Sequence, residues 1–383
     1  MKVIYLIVFI LCFYLTNLLI LEERQYKKII LEKFVGNVDN DLYLIDKKYN
    51  NNCLIDNSID YFRCRFIKDY NNLIYDNKNI TRIAFGSCNS QYENQEFWQK
   101  IQDFNPKLWI WLGDNIYADY YPKDMVKNSN HIEHMENQYL KLVNNKYYTK
   151  FLNSGIEITG IWDDHDYYSN NSGSEVSKNN KLKSKQLFFD FININKTDEN
   201  LEKSADPDGI YRSYFIGSDI QILLLDTRTF KSKNDILGIK QWNWLKKELI
   251  NSNAKLNLII SGTQVISDRQ HDDESWSSIG NCRIKLMQLL NCLNKKNTLI
   301  ISGDIHKSCV KSNYGFFEIT ASPLSNFISK HKYNHKNNIG EYIEKHNYGF
   351  LDIHWDKNNE IKKIITGFND TIDNKSYNIL EIR

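Results

Sequence analysis

Trp162-Asp163-Asp164-His165-Asp166 sets three carboxylates around one imidazole, directly after the apolar residue Ile161. That much negative charge beside a buried segment repels itself unless a cation neutralises it. Two other segments carry related chemistry. Gly113-Asp114-Asn115-Ile116-Tyr117 offers a carboxylate and a phenol after a glycine that lets the backbone turn sharply. Gly303-Asp304-Ile305-His306 puts a carboxylate and an imidazole on alternate positions, so both can point the same way in an extended segment. Cys88, after Gly86-Ser87, reads equally as a buried thiol or as a ligand. Carboxylates, a phenol, a thiolate and one or two histidines form a hard, anionic donor set. It suits trivalent iron with calcium or magnesium nearby better than a His-rich zinc pair. The chemistry open to such a set is metal-assisted hydrolysis.

These residues need elements to position them. From Thr81 onward a short apolar run repeatedly leads into a polar, often glycine-containing loop. Ile83–Phe85, Leu108–Leu112, Ile156–Trp162, Ile220–Leu225, Leu258–Ile260 and Leu299–Ile301 each end just before one of these loops. Such runs read as strands buried on both faces, in a sheet covered by helices. Helices are expected over Glu96–Gln102, His131–Asn144, Lys240–Ile250 and Arg283–Leu293, with Trp242, Leu245 and Leu249 as a core stripe. Further strands are expected at Tyr211–Ile216, after the Asp206-Pro207-Asp208-Gly209 turn, and at Gly315–Thr320 and Tyr348–Trp355. In open α/β sheets ligands bind outside the carboxyl ends of the strands, where these loops begin.

The chain has 383 residues, 42% of them apolar and 25% charged, which is a globular composition with ample core. Its net charge of +2 argues neither for a nucleic-acid footprint nor for an acidic tail. Lys2 followed by apolar residues from Val3 to Leu15, and again to Leu21, has the pattern of a signal peptide or an uncleaved anchor. Either would send the chain to the secretory pathway, secreted or anchored by residues 3–21. Cys53 with Cys64, and Cys282 with Cys292, could each close a short loop, or remain buried thiols. The sequons at Asn79, Asn170, Asn195, Asn369 and Asn374 are expected by chance in an Asn-rich chain. Residues 22–80 carry no chemical motif and read as a small N-terminal extension.

Taken in order, Gly86-Ser87-Cys88, Gly113-Asp114-Asn115-Ile116-Tyr117, Trp162-Asp163-Asp164-His165-Asp166, Asp226-Thr227-Arg228, Gly303-Asp304-Ile305-His306 and Asn347-Tyr348-Gly349 resemble the motifs of PhoD-like phosphatases. That is the alkaline phosphatase D branch of the calcineurin-like metallophosphoesterases, and the resemblance runs over residues 81–355. It implies an α/β fold of the α+β type: a four-layer αββα sandwich with two mixed sheets, formed by residues 81–383. It also implies a multinuclear centre of Fe(III) and Ca2+, with Mg2+, Mn2+ or Zn2+ as divalent alternatives. Cys88, Asp114 and Tyr117 resemble the iron ligands, Asp114 bridging to a second metal flanked by Asp163, Asp164 and Asn347. Asp304 and His306 stand where the wider superfamily has Gly-His-x-His, and are assigned to the metals. His165 resembles the catalytic histidine and Arg228 a phosphate-binding arginine, with Asn115 also on the substrate side. Two features depart from the family: residues 22–80 leave little room for the larger bacterial N-terminal domain, and Tyr167–Asn171 replaces a Gly-rich turn.

The activity implied is hydrolysis of phosphomonoesters by in-line attack of a metal-bound hydroxide. Rival readings are a phosphodiesterase or phospholipase D-like hydrolase using the same site, and a non-catalytic, metal-stabilised surface binding protein. The partner is then a small-molecule or lipid phosphoester, with membrane contact only through the N-terminal anchor.

Overall fold

The structure is a computed structural model describing residues 64–67, 79–120, 131–267, 274–331, 333 and 336–382. The expected leader lies outside these residues, as do Cys53 and most of the expected extension. Among the described residues no helix is long and apolar enough to cross a membrane.

In chain order come β1 (Cys64–Phe66), β2 (Ile80–Gly86), α1 (Phe97–Phe104), β3 (Leu108–Leu112), α2 (His131–Val143), α3 (Lys146–Leu152) and β4 (Glu157–Ile161). Next are α4 (Asp164–Tyr167), α5 (Lys178–Ile192), β5 (Arg212–Ile216), β6 (Ile220–Leu224), α6 (Gly238–Asn251), β7 (Leu256–Ser261) and α7 (Cys282–Cys292). The chain ends with β8 (Thr298–Ser302), β9 (Ser308–Asn313), β10 (Phe316–Thr320), β11 (Asn338–Ile343), β12 (Asn347–Trp355), β13 (Ile361–Asp370) and β14 (Ser376–Ile382). Each of the six apolar runs singled out from Thr81 onward forms a strand.

Two seven-stranded sheets result, in the orders β1-β14-β13-β12-β2-β3-β4 and β11-β9-β10-β8-β7-β6-β5. Both are mixed. β2, β3 and β4 run parallel in the first, and β6, β7, β8 and β10 in the second. The period-2 alternation of strands assigns the layers. Trp109 and Trp111 of β3 meet Trp98 of α1, each with ring centroids 5.1 Å away, so Leu108, Ile110 and Leu112 point to the opposite face. In the second sheet Leu223, Ile259 and Ile300 pack with Trp242, Leu245 and Leu249 of α6 and Leu286 and Leu290 of α7. Their neighbours Ile222, Leu224, Leu258, Ile260, Leu299 and Ile301 join the cluster shared with the first sheet. The result is the expected four-layer sandwich.

Some elements differ from expectation. α5 was not expected: its first half is polar, and only Ser184, Phe188, Phe191 and Ile192 are buried. Cys282 and Cys292 do not pair with each other, for Cys292 is disulfide-bonded while Cys282 keeps its thiol. They cap opposite ends of an 11-residue helix, about 15 Å apart at the helical rise and well beyond disulfide reach.

Arg82 of β2 faces Asp352 of β12 across the ladder. Its Nε and Nη2 donate to the two carboxylate oxygens at 2.7 and 2.8 Å, and its Nη1 donates to the Phe104 carbonyl at 2.8 Å. Asp352 is fully buried, so Arg82→Met leaves a charge without this partner. It should lower unfolding free energy by about 3 kcal/mol in urea titrations; a loss below about 1 kcal/mol would show the pair to be dispensable.

Candidate active site

The parallel strands of both sheets end on the same side of the sandwich, and the chemistry-bearing loops begin there. Cys88 follows β2, Asp114 to Tyr117 follow β3, and Asp163 to Asp166 follow β4. From the other sheet, Asp226 to Arg228 follow β6, Thr263 follows β7, and Asp304 to His306 follow β8. Four of these residues adopt left-handed backbone without being glycine: Cys88 (φ 57°), Asp114 (φ 50°), Asp304 (φ 73°) and His306 (φ 54°). Each such conformation costs about 1–3 kcal/mol and persists only where surrounding structure enforces it. Gly113 (φ 97°) is required as well, because a Cβ there would lie 2.5 Å from the Asp163 Cβ.

Donor atoms of Cys88, Asp114 and His306 lie within 4.8 Å of one another, and so do those of Asp114, Asp164 and His165. Asp114 belongs to both groups, the position of a bridging ligand. The Tyr117 hydroxyl joins the first group, 3.1 Å from Asp114 Oδ2 and 3.0 Å from His306 Nε2. His306 Nδ1 lies 2.7 Å from the Phe327 carbonyl, which takes its proton and leaves the Nε2 lone pair facing the cluster. Ser322 Oγ accepts from the His306 N–H at 2.9 Å and donates to Cys88 Sγ at 3.1 Å.

Electrostatics show what this set lacks. Burial first, and then neighbouring carboxylates, push the Cys88 thiol and the Asp114 carboxyl well above their usual ranges. Tyr117 is raised by burial and by Asp114. Burial lowers His306 to about 4, so its ring is neutral and able to ligate. Asp114 Oδ1 and Asp163 Oδ2 are buried without a hydrogen-bond partner. Buried anionic donors that cannot all ionise together, with orphaned oxygens among them, fit a bound cation.

Beside the donors sit the charged side chains. Burial opposes protonation of His165, but Asp164, Asp114 and Asp119 outweigh it and push its pKa up to about 11. Its Nδ1 is 2.6 Å from Asp119 Oδ1, and the other Asp119 oxygen accepts from the Asn170 N–H at 2.7 Å. Arg228 is buried and donates through Nε to Asp163 Oδ1 at 2.5 Å and through Nη1 to Glu274 Oε1 at 2.9 Å. Burial raises Asp163 to about 6 despite Arg228. Asp164 is likewise buried, yet Arg228 and His165 hold it well below the usual carboxylate range.

Four of the residues expected in the site stand apart from the two donor groups. Asn347 donates to the Lys345 carbonyl at 2.7 Å and accepts from Ser308 at 2.7 Å, so both ends of its amide are engaged. Asn115 is fully buried and donates to the Ile161 carbonyl at 3.1 Å, turned into the scaffold. The Asp304 carboxylate accepts from Thr263 at 3.1 Å, while its carbonyl lies 3.5 Å from Cys88 Sγ. Asp163 is committed to Arg228 rather than to a donor group. Sequence reasoning missed Asp119, Glu274 and Ser322, and named Asp166 in the acidic motif without giving it a role of its own. Asp119 carried a signal, being a carboxylate in the Asp114 loop; Glu274, in a generally polar stretch, carried none.

Asp166 holds the loops together. Its carboxylate accepts from the N–H groups of Asp163 at 2.7 Å, Asp114 at 3.2 Å and Asn115 at 3.1 Å. Asp166→Ala should weaken metal binding about 10–100-fold by equilibrium dialysis, although Asp166 belongs to neither donor group; unchanged affinity would mean the loops hold without it.

The family model described as PhoD-like phosphatase matches residues 83–354. A solved structure of PhoD superposes with a TM-score of 0.55 at 15% identity, covering 78% of this chain and 72% of that one. Purple acid phosphatase PPD1 from seeds of yellow lupin, Lupinus luteus, gives a TM-score of 0.52 at 9% identity, covering 78% of this chain and 53% of that one. At such identities both likenesses speak to the fold alone. No curated protein sequence matches the chain. With its ordered motifs, its two-sheet sandwich and a family match over most of its length, the chain belongs to the PhoD-like phosphatase family, metal-dependent hydrolases of phosphoric esters.

Proposed function

We propose that this chain is an extracytosolic phosphomonoesterase whose metal centre is assembled from Cys88, Asp114, Tyr117 and His306 on one side and Asp114 and Asp164 on the other. The observation carrying this reading is that Asp114 belongs to both donor groups, while left-handed backbone aims Cys88, Asp114 and His306 at one point. Thiolate, phenolate and carboxylate together favour Fe(III) at the first position; oxygen donors favour Ca2+, or Mg2+, Mn2+ or Zn2+, at the second. Asp163, Asp304 and Asn347 then act from around the centre, Asp163 by orienting Arg228. Bound metals would supply an activated water and anchor phosphoryl oxygens.

The chain's own groups divide the remaining work. Asp119 fixes the His165 ring through Nδ1 and favours its cationic form, leaving Nε2 to protonate the departing alkoxide oxygen. Arg228, held by Asp163, pairs with the phosphoryl oxygens. Two cations beside one centre suit the dianion of a monoester. The family match favours this hydrolase over a non-catalytic binding protein. The disulfide at Cys292 supports an oxidising compartment, consistent with secretion or with anchoring by residues 3–21.

One observation favours the diester reading, lipid headgroups included. Phe327 is 68% exposed and its ring centroid lies 4.2 Å from that of His306, so an apolar surface borders the donors. Rates on mono- and bis-para-nitrophenyl phosphate separate the two. The monoester should be cleaved faster, and a preference for the diester would overturn the monoesterase assignment.

Asp114→Ala should abolish metal binding and lower turnover about a thousandfold or more, with the fold retained by circular dichroism. Full activity in metal-poor Asp114→Ala protein would refute the site. Elemental analysis of the purified wild type should find iron with calcium, and zinc alone would contradict that pairing.

A further inference from the structure

Arg228 is surrounded by three carboxylates, more than a structural arginine needs. Asp163 Oδ1 takes Nε at 2.5 Å, Glu274 Oε1 takes Nη1 at 2.9 Å, and Asp164 Oδ1 lies 3.5 Å from Nη2. Nη2 is buried and makes no hydrogen bond. The three acids are not equivalent. Asp163 and Asp164 sit at the junction of β4 and α4, their side chains 1% and 5% exposed, and Asp164 also accepts from the Asn171 N–H at 2.6 Å. Glu274 approaches from another segment of the chain and is the most exposed of the three, at 15%. It covers the outer edge of a guanidinium that is itself 1% exposed.

We propose that Glu274 is a built-in competitor of the substrate: its carboxylate occupies the phosphoryl-binding edge of Arg228 and is displaced when a phosphoryl group binds. This rests on the reading of Arg228 as a phosphate ligand. A carboxylate and a phosphoryl group offer a guanidinium the same paired oxygen acceptors, so one stands in for the other. Both cannot stay, because a phosphate dianion beside Glu274 would meet like charge in a buried setting. Glu274 also has a hold that does not depend on Arg228, for the Asn171 amide, with its nitrogen turned toward Glu274, donates to both of its carboxylate oxygens where it now sits. Asn171 is fixed in left-handed backbone (φ 61°), and its carbonyl accepts from Lys231 Nζ at 3.2 Å. When product leaves, Glu274 returns to Arg228, which limits retention of inorganic phosphate. Glu274 is thus a specificity and release residue, trading affinity for turnover.

The test is inorganic phosphate binding to the metal-loaded full chain, measured by calorimetry and as product inhibition, in wild type, Glu274→Gln, Arg228→Lys and the double variant. Glu274→Gln is isosteric at a partly exposed site, and a thermal melt verifies its fold. It should tighten phosphate binding about 3–10-fold and lower KM with it, without raising kcat. Arg228→Lys keeps the charge and loses the fork, so phosphate should bind about tenfold more weakly. In that background Glu274→Gln should gain less than about twofold. Weaker or unchanged phosphate binding in Glu274→Gln, with Arg228→Lys impaired, would make Glu274 a mere support for Arg228 and overturn the proposal. An equal gain in both backgrounds would reduce the effect to general charge and also overturn it. Wild-type binding in Arg228→Lys would instead remove Arg228 as a phosphate ligand, and the competitor idea with it.

Discussion

One buried carboxylate, that of Asp166, receives backbone N–H groups from two loops that leave adjacent parallel strands. Asp114 cannot move without breaking that tie, and Asp163 cannot swing away from Arg228 without straining it. The left-handed conformation of Asp114 makes sense in this light. Isolated, the residue would relax into extended or helical backbone. Here its N–H is already spent on Asp166, so the strain is held rather than released. Ser322 exerts a similar hold on the opposite side, bonding both the His306 backbone and the Cys88 thiol. The donors are therefore aimed before any ligand arrives, which is the condition under which electrostatic groups work best in catalysis.

The same scaffold concentrates unlike and like charges within a few ångströms, and the outcome depends on who faces whom. Arg228 and His165 hold the Asp164 carboxyl below the usual range, whereas at Asp114 burial, aided by Asp164, Asp163 and Asp166, outweighs His165 and pushes the carboxyl above it. His165 and His306 diverge for the same reason. Three carboxylates surround the first, while burial against Phe327 and Tyr117 keeps the second neutral. One fold thereby provides a cationic imidazole for proton transfer and a neutral one for coordination, with no change of residue type.

Most of the architecture could be read from the sequence because its signal is local. Buried parallel strands appear as unbroken apolar runs, and Leu108–Leu112 or Leu299–Ile301 admit little else. The loops that follow were legible for the same reason, since an ionisable residue after such a run is hard to place in a core. What escaped depends on contacts distant in sequence. α5 hides its apolar face behind a lysine-rich first half. β13 and β14 take their places only by pairing with β12 and with each other. Asn347 looked like a ligand from its position in a motif, yet folding brings Ser308, 39 residues away, onto its amide oxygen. Glu274 was invisible for the converse reason: nothing local marks it, and only folding brings it to Arg228.

That the donors come from both sheets has a consequence for the seam between them. Cys88, Asp114, Tyr117 and Asp164 hang from one, and His306 from the other. A cation gripping both halves behaves as a staple across the sandwich, and by thermodynamic linkage its binding energy becomes resistance to opening. At a free-ion concentration a hundred times the dissociation constant, that is about 2.7 kcal/mol. Metal supply would then govern the lifetime of the folded chain as well as its chemistry.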